Sequence, residues 1–442
     1  MFKTLVQKYT VVFLLLIVLT GFVLRLHNYS QWPREGATFD EYAWTWLGIN
    51  IFEKGVPISW SPHPQYKIRT HYIQNGARFW LVQPYLEHPP LFGLISGGYA
   101  MLRGIPDMYH VKLPVMRELA LILGLISICM VYLLGSSIYG PTVGLLSAFI
   151  YAITPTVVIG SRIVQNENFF IPMFLGILYC TVRFIEKNTT RYLIAAAILS
   201  GLVTLAKVPW FAASVGVTLI LLNAKKYRSV WIFWAIVFSI FSIFLVYGFM
   251  WDKNLFISLW KLQLNRYDLT FDSIFALINL PYLVDRYFTD GWIYTGWAAF
   301  ILLLGDVIKV HRYIIFGLLG YFFIFVLAIP NEPSHGWYRY PFYPFLAIAL
   351  SVVLHKYFNK NYLITSLFLL LTGLSLMQHT WFGVFGFSYA IYRGYIALCA
   401  VGTLPLWFAG KNTSRVSTCI NYLLLFIVTL FSIWTIFSYN EQ

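Results

Sequence analysis

The sequence predicts an all-α polytopic membrane protein with about 13 transmembrane helices, on three observations. Only 11% of its 442 residues are charged while 59% are hydrophobic, whereas soluble proteins average about 25% charged. The mean hydropathy is +0.70. Apolar runs long enough to cross a bilayer, roughly 17 to 25 residues with shorter ones completed by their flanks, recur from one end of the sequence to the other. Soluble classes are excluded, because so little charge could not cover a water-exposed surface. The recurrence of the runs also excludes a soluble enzyme with a single anchor.

The elements follow in order. Lys3 and Lys8 precede an apolar run from Val11 to Leu24, and no small-residue cleavage site comes before Arg25, so the run reads as a retained first helix rather than a signal peptide. Further spans are predicted near 114–138, 141–157, 168–185, 191–206 and 209–223. Seven more fall near 229–250, 292–308, 313–330, 341–357, 362–379, 385–409 and 418–438. Threaded this way, Lys and Arg of the short connections (Lys3 and Lys8; Arg183, Lys187 and Arg191; Lys225, Lys226 and Arg228; Lys309 and Arg312; Lys356 and Lys360; Lys411 and Arg415) share one side. By the positive-inside rule that side, with the N-terminus, is cytoplasmic, most simply of a plasma or inner membrane.

The other side receives two long connections, 27–113 and 251–291, within a single transmembrane catalytic domain covering 1–442. In the first, Asp40 to Lys54 reads as a short interfacial helix with an acidic start. Pro89 to Leu102 is apolar but short for a span, and reads as a second interfacial or a re-entrant helix.

A net charge of +14 would point to nucleic acid in a soluble domain, but the basic residues are scattered between apolar runs, so anionic lipid head groups and topology account for them better. Cys129, Cys180, Cys399 and Cys419 lie in apolar stretches without CxxC spacing and read as packing residues. A Walker A loop and a GxGxxG fingerprint are missing. An activated substrate would then come from a lipid carrier in the membrane.

Charged groups near hydrocarbon cost roughly 2.5 to 3.5 kcal/mol each, so they carry a functional hypothesis. Four clusters qualify, all on the side opposite the basic connections. Asp40 and Glu41 form an acidic pair, read either as helix capping or as a general base with a tuning neighbour. Glu87-His88-Pro89-Pro90 displays a titratable His at the start of an apolar segment, although Pro at a helix start explains the prolines alone. The turn Ser161-Arg162-Ile163-Val164-Gln165-Asn166-Glu167-Asn168 holds an Arg and a Glu that could pair, with three amides that favour a filled cavity. Asn331 to Pro341 carries His335, Arg339 and Tyr340; an interfacial aromatic belt explains the rings, and a phosphate grip suits the planar fork of Arg339.

The order of these motifs, an acidic pair in a long first outer loop, HPPL, Lys112-Leu113-Pro114, Arg-x4-acid and a late Arg-Tyr-x-Pro, resembles the lipid-linked-sugar glycosyltransferases of the C-type superfold. The protein O-mannosyltransferase and aminoarabinose transferase group is the nearest in pattern, over residues 1 to about 190 and again from Trp337 to Leu346. The resemblance implies transfer of a monosaccharide from a polyprenyl-phosphate donor to a lipid, glycan or protein acceptor on the outer face, usually with inversion. It assigns Asp40 as the catalytic acid of the first loop, Glu41 as its partner and Glu167 as the second acid, where Asp is more usual. Arg162 and Asn166 flank that acid, and His88 stands where some members carry Lys. Lys112 stands where Arg is usual, with Arg117 one turn on, and Arg339 and Tyr340 match the late pair.

Chemistry agrees with this cast. Displacement at an anomeric carbon needs a carboxylate to take the acceptor's proton and cations to stabilise the departing phosphate. Asp40 fits the first role; Arg339, Lys112 and His88 are candidates for the second. Glu167 would orient the acceptor or, with Asp40, hold a divalent cation, although no dense carboxylate cluster is visible. Two alternatives are a transporter or flippase of lipid-linked glycans, expected to place polar groups near the midplane, and a ligase or polymerase sharing the lipid-linked donor.

Overall fold

The computed structural model describes residues 2–265, 274, 277, 282–306, 308–328, 335–358, 360–381, 388–408 and 410–441. Each of the 13 expected apolar segments is helical over most of its described length. The helices are α1 (Phe2–Leu26), α2 (Asp40–Lys54), α3 (Leu91–Leu102), α4 (Leu113–Tyr139), α5 (Pro141–Ile153), α6 (Pro155–Gly160), α7 (Asn166–Lys187) and α8 (Thr190–Thr204). There follow α9 (Phe211–Asn223), α10 (Tyr227–Leu264), α11 (Gly291–Leu304), α12 (Arg312–Ala328), α13 (Tyr343–Tyr357), α14 (Tyr362–Trp381), α15 (Tyr389–Val401) and α16 (Lys411–Ser438).

Five of them are long and apolar enough to cross a membrane by themselves: Tyr9–Leu26, Leu113–Tyr139, Asn166–Lys187, Tyr227–Leu264 and Lys411–Ser438. Of the shorter apolar helices, Thr190–Thr204 packs against Asn166–Lys187 and Tyr227–Leu264, and Gly291–Leu304 against Tyr343–Tyr357 and Tyr362–Trp381. Prolines begin α4 and α5, where a missing N–H costs nothing. The main apolar core runs from α1 through α16, with two smaller clusters beside it, around Leu47, Phe244 and Leu259 and around Ile159 and Leu283. Cys399 is buried in it, whereas Cys419 is exposed, so packing does not explain all four thiols.

Three features depart from the sequence expectation. The first long connection contains a small antiparallel sheet, β1 (Ser59–Trp60), β2 (Ile68–Gln74) and β3 (Ala77–Gln83) in the order β1-β3-β2, with Tyr72 opposite Phe79. Its alternation was hidden by polar and basic residues on the outward face of β2, where Arg69 stacks on Trp80 at 4.3 Å. The second long connection opens with helix, because α10 breaks its geometry at Asp252 and then continues to Leu264. A two-stranded ribbon, β4 (Tyr282–Leu283) and β5 (Arg286–Tyr287), ends that connection. Arg286 is exposed there, while Arg266 lies outside the described residues, as do Asn331 and Glu332.

The two helices of the first connection are packed tightly against each other. A Cβ on Gly48 of α2 would stand 2.0 Å from the Gly93 carbonyl oxygen, and one on Gly97 would stand 2.4 Å from the Ile49 nitrogen. Only glycine permits this backbone-to-backbone crossing of α2 over α3. The Thr45 and Ser96 hydroxyls bridge the same crossing at 2.7 Å. Arg34 extends the anchorage, pairing with Asp285 at 2.5 Å and Glu441 at 3.2 Å. The two carboxylates raise its pKa, with the Asp285 hydrogen bond the largest cause.

Candidate active site

The α2 helix starts at the acidic pair, where unsatisfied N–H groups favour negative charge. Capping does not account for Asp40: the N-cap residue is Phe39 and no side chain caps the helix. Asp40 is half-buried, and its Oδ2 accepts from Gln165 Nε2 at 3.0 Å. Gln165 Nε2 also donates to Thr38 Oγ1 at 2.9 Å, which ties the polar turn before α7 to the start of α2.

Glu41 points the other way, into the protein, and is 1% exposed. Arg117 grips it with both prongs, Nε to Oε1 at 2.9 Å and Nη2 to Oε2 at 2.8 Å. The Val164 amide adds a third bond to Oε1 at 3.0 Å. Arg117 Nη1 in turn donates to the carbonyls of Tyr29 and Pro33. Both residues are thus fully engaged in joining α2, α4 and the 161–165 turn. Arg117, a candidate phosphate contact in the sequence, has its guanidinium bonded to Glu41 and two carbonyls, and both Glu41 oxygens accept hydrogen bonds from within the protein.

The 161–168 turn also differs from expectation. Arg162 does not pair with Glu167. It is fully buried, with Nη2 donating to the Leu24 carbonyl at 2.9 Å beside Arg25, whose Nη1 meets the carbonyls of Gly21 and Ala152. The negative ends of α1 and α5 suit these two cations. Asn166 donates to the Ala206 carbonyl and accepts from Trp210 Nε1 at 2.6 Å, so both ends of its amide are engaged within the protein. Asn168 closes the turn on the carbonyls of Gly160 and Ile163.

The partner of Glu167 is Lys207, which the sequence reading passed over. Lys207 Nζ lies 2.8 Å from Glu167 Oε1, 5.4 Å from the Trp210 ring and 4.7 Å from the Tyr338 ring. Burial opposes the charge on Lys207, but the neighbouring Glu167 carboxylate outweighs it and holds the ammonium above its ordinary range. Asp40 is within electrostatic range of both. Lys207 is the lone charged residue between Arg191 and Lys225, and a charge isolated in an apolar stretch was the available signal.

The 3₁₀ stretch Gly336–Phe342 closes the site from the other side. Gly336 N donates to the Val284 carbonyl at 2.7 Å and Tyr321 donates to the Tyr338 carbonyl at 2.6 Å, which fixes the stretch against the β4–β5 ribbon and α12. Arg339 is buried within it, His335 stacks on Tyr338 at 5.5 Å, and the Tyr340 ring fills the space left by Gly160. His88 is half-buried with its ring 5.4 Å from Trp44 of α2. Lys112 is exposed just ahead of α4.

Asp40, Gln165, Glu167, Lys207 and Tyr338 therefore form one polar constellation. Among the described residues no group of three His, Cys, Asp or Glu side chains converges as a metal site. Within the constellation, Glu167 Oε1 is taken by the Lys207 ammonium.

Residues 87–249 match the family model of dolichyl-phosphate-mannose-protein mannosyltransferases. The fold is similar to that of ArnT from Cupriavidus metallidurans bound to undecaprenyl phosphate, with TM-score 0.56 and 13% identity over 96% of this chain and 77% of that one. It is also similar to the archaeal oligosaccharyltransferase AglB from Archaeoglobus fulgidus in complex with an inhibitory peptide and a dolichol-phosphate. There the TM-score is 0.51 at 13% identity, over 99% of this chain and 57% of that one. A search of curated protein sequences finds no match. The likeness shows a fold shared with ArnT and AglB, in agreement with the resemblance drawn from the motifs.

Proposed function

We propose that the chain is an integral-membrane glycosyltransferase that moves a monosaccharide from a polyprenyl-phosphate donor to an acceptor hydroxyl at the extracytoplasmic surface, with its N-terminus cytoplasmic. One observation carries the reading: Asp40, a partly exposed carboxylate with one oxygen held by Gln165, stands beside the buried Glu167–Lys207 pair. The family match over 87–249 and the undecaprenyl-phosphate and dolichol-phosphate ligands of the similar folds support the choice of donor.

In this mechanism the Asp40 carboxylate accepts the proton of the acceptor hydroxyl as its oxygen bonds to the anomeric carbon. The bond from that carbon to the phosphate oxygen breaks on the opposite face, inverting the centre and releasing polyprenyl phosphate. Arg339, His88 and Lys112 are the cations proposed to receive the departing charge. Protein, lipid and glycan acceptors all present the required hydroxyl.

Reconstitution in liposomes with radiolabelled polyprenyl-phosphate monosaccharides tests the proposal. Release of polyprenyl phosphate that depends on Asp40 supports it. Labelled lipid crossing the bilayer intact would establish a transporter instead, and transfer of a preassembled glycan a ligase or polymerase.

A further inference from the structure

Two oxygen atoms in this constellation are buried without a partner: Glu167 Oε2 and Gln165 Oε1. Both residues are sealed from solvent, Glu167 at 0% and Gln165 at 1% exposure. The Gln165 orientation is fixed by chemistry, because its Nε2 faces the acceptor-only carboxylate of Asp40, and this leaves Oε1 as the free end. Glu167 is fixed as well, since Lys207 engages Oε1 and leaves Oε2 open. A buried acceptor without a donor costs about 1 to 3 kcal/mol, more when it is charged.

Resting on the transferase reading, we infer that Glu167 Oε2 and Gln165 Oε1 form the hydroxyl-binding subsite for the donor sugar, with Lys207 as a positioning residue. The ligand class follows from the atoms. Two free acceptors require two O–H or N–H donors, and Lys207 already meets the charge of Glu167, so the group recognised is a neutral, hydroxylated sugar ring. The position assigns it to the donor. Asp40 is the half-exposed member of the constellation and faces an incoming acceptor, whereas the two free oxygens lie deeper. Phosphate is excluded from this subsite, because both atoms would repel it.

The test compares affinity of the purified protein in nanodiscs for polyprenyl phosphate and for its mannose, glucose, galactose and arabinose conjugates, alongside turnover. In the wild type the sugar should strengthen binding. Glu167→Gln keeps the shape but, with its oxygen toward Lys207, presents an N–H where Oε2 stood. Affinity for the preferred conjugate should fall about 10- to 100-fold while affinity for polyprenyl phosphate stays within about twofold. Gln165→Met should lose part of the same preference, which covers the case of a Glu167 variant that does not fold. Lys207→Met should raise KM for the conjugate more than it lowers kcat, and Lys207→Arg should restore it. Equal weakening toward both lipids, or none, overturns the subsite. Asp40-dependent turnover without a Glu167 effect overturns the subsite alone, whereas a wild type that neither prefers nor turns over any conjugate overturns the transferase reading with it.

Discussion

Two buried glutamates near Asp40 are each held by a cation, but their oxygens are filled differently. Glu41 meets a guanidinium whose planar fork takes both carboxylate oxygens, and a backbone amide adds a third bond. Glu167 meets an ammonium, a point charge that engages one oxygen and leaves the other open. The saturated pair can only join parts of the protein, whereas the unsaturated pair retains bonding capacity for a ligand. Burial and charge alone would have ranked the two glutamates together; the count of filled lone pairs separates them.

The sharpest way to break this comparison is to remove the cation from the saturated pair. Arg117→Met leaves Glu41 buried with an uncompensated charge, which should cost about 3 to 5 kcal/mol and prevent recovery of a monodisperse protein. A variant that purifies and melts like the wild type would show the pair to be dispensable for folding. Next in size, Asp40→Asn should lower turnover by about 100- to 10,000-fold while leaving the melting temperature in detergent unchanged, since a general base contributes in that range and the Gln165 contact survives in part. Arg339→Ala should weaken binding of unconjugated polyprenyl phosphate by about 10-fold, the scale of one charge-assisted hydrogen bond, and equilibrium binding in nanodiscs measures it.

The smallest effect sharpens the comparison with a third carboxylate. Asp290 is buried and accepts from the Thr156 amide and hydroxyl and from the Trp292 amide, with no cation among these partners. Burial pushes its pKa up from 3.8 to about 6, against the hydrogen bonds. The folded state therefore holds this proton more tightly than the unfolded state does. Its contribution to stability is full below about pH 4, falls as pH rises to about 6 and is constant above that. The difference in melting temperature between wild type and Asp290→Asn should follow this curve, and a flat difference from pH 4 to 7 would remove the effect.

The bundle was legible in the sequence because a bilayer imposes a length and a composition on every crossing segment, and the helices from 113–139 to 411–438 follow the expected runs closely. The α2 helix was legible to the residue, Asp40 to Lys54, from its acidic start and the apolar residues that follow. The sheet of the first connection was not, since its strands put Arg69 and His71 where an alternating pattern would show polarity and left only Phe79, Leu81 and Val82 as a buried signature. In the site, residue types identified where chemistry concentrates but not who pairs with whom. Arg162 and Glu167 are five positions apart and face different neighbours, and Lys207 reaches Glu167 from 40 positions away. Partner choice of this kind depends on helix packing, which one sequence does not encode locally.

The Arg34 clasp has a consequence for the order of events in synthesis. Arg34 is joined to Glu441, 407 positions later, and His27 to the carbonyl of Phe437. Until the helix Lys411–Ser438 has been inserted, the connection bearing Asp40 lacks these two fastenings and is held by its contacts with Arg117, Gln165 and Asp285. The fastenings of Arg34 and His27 to residues at and just past the far end of the helix Lys411–Ser438 are thus the last contacts of this connection to form as the chain is made.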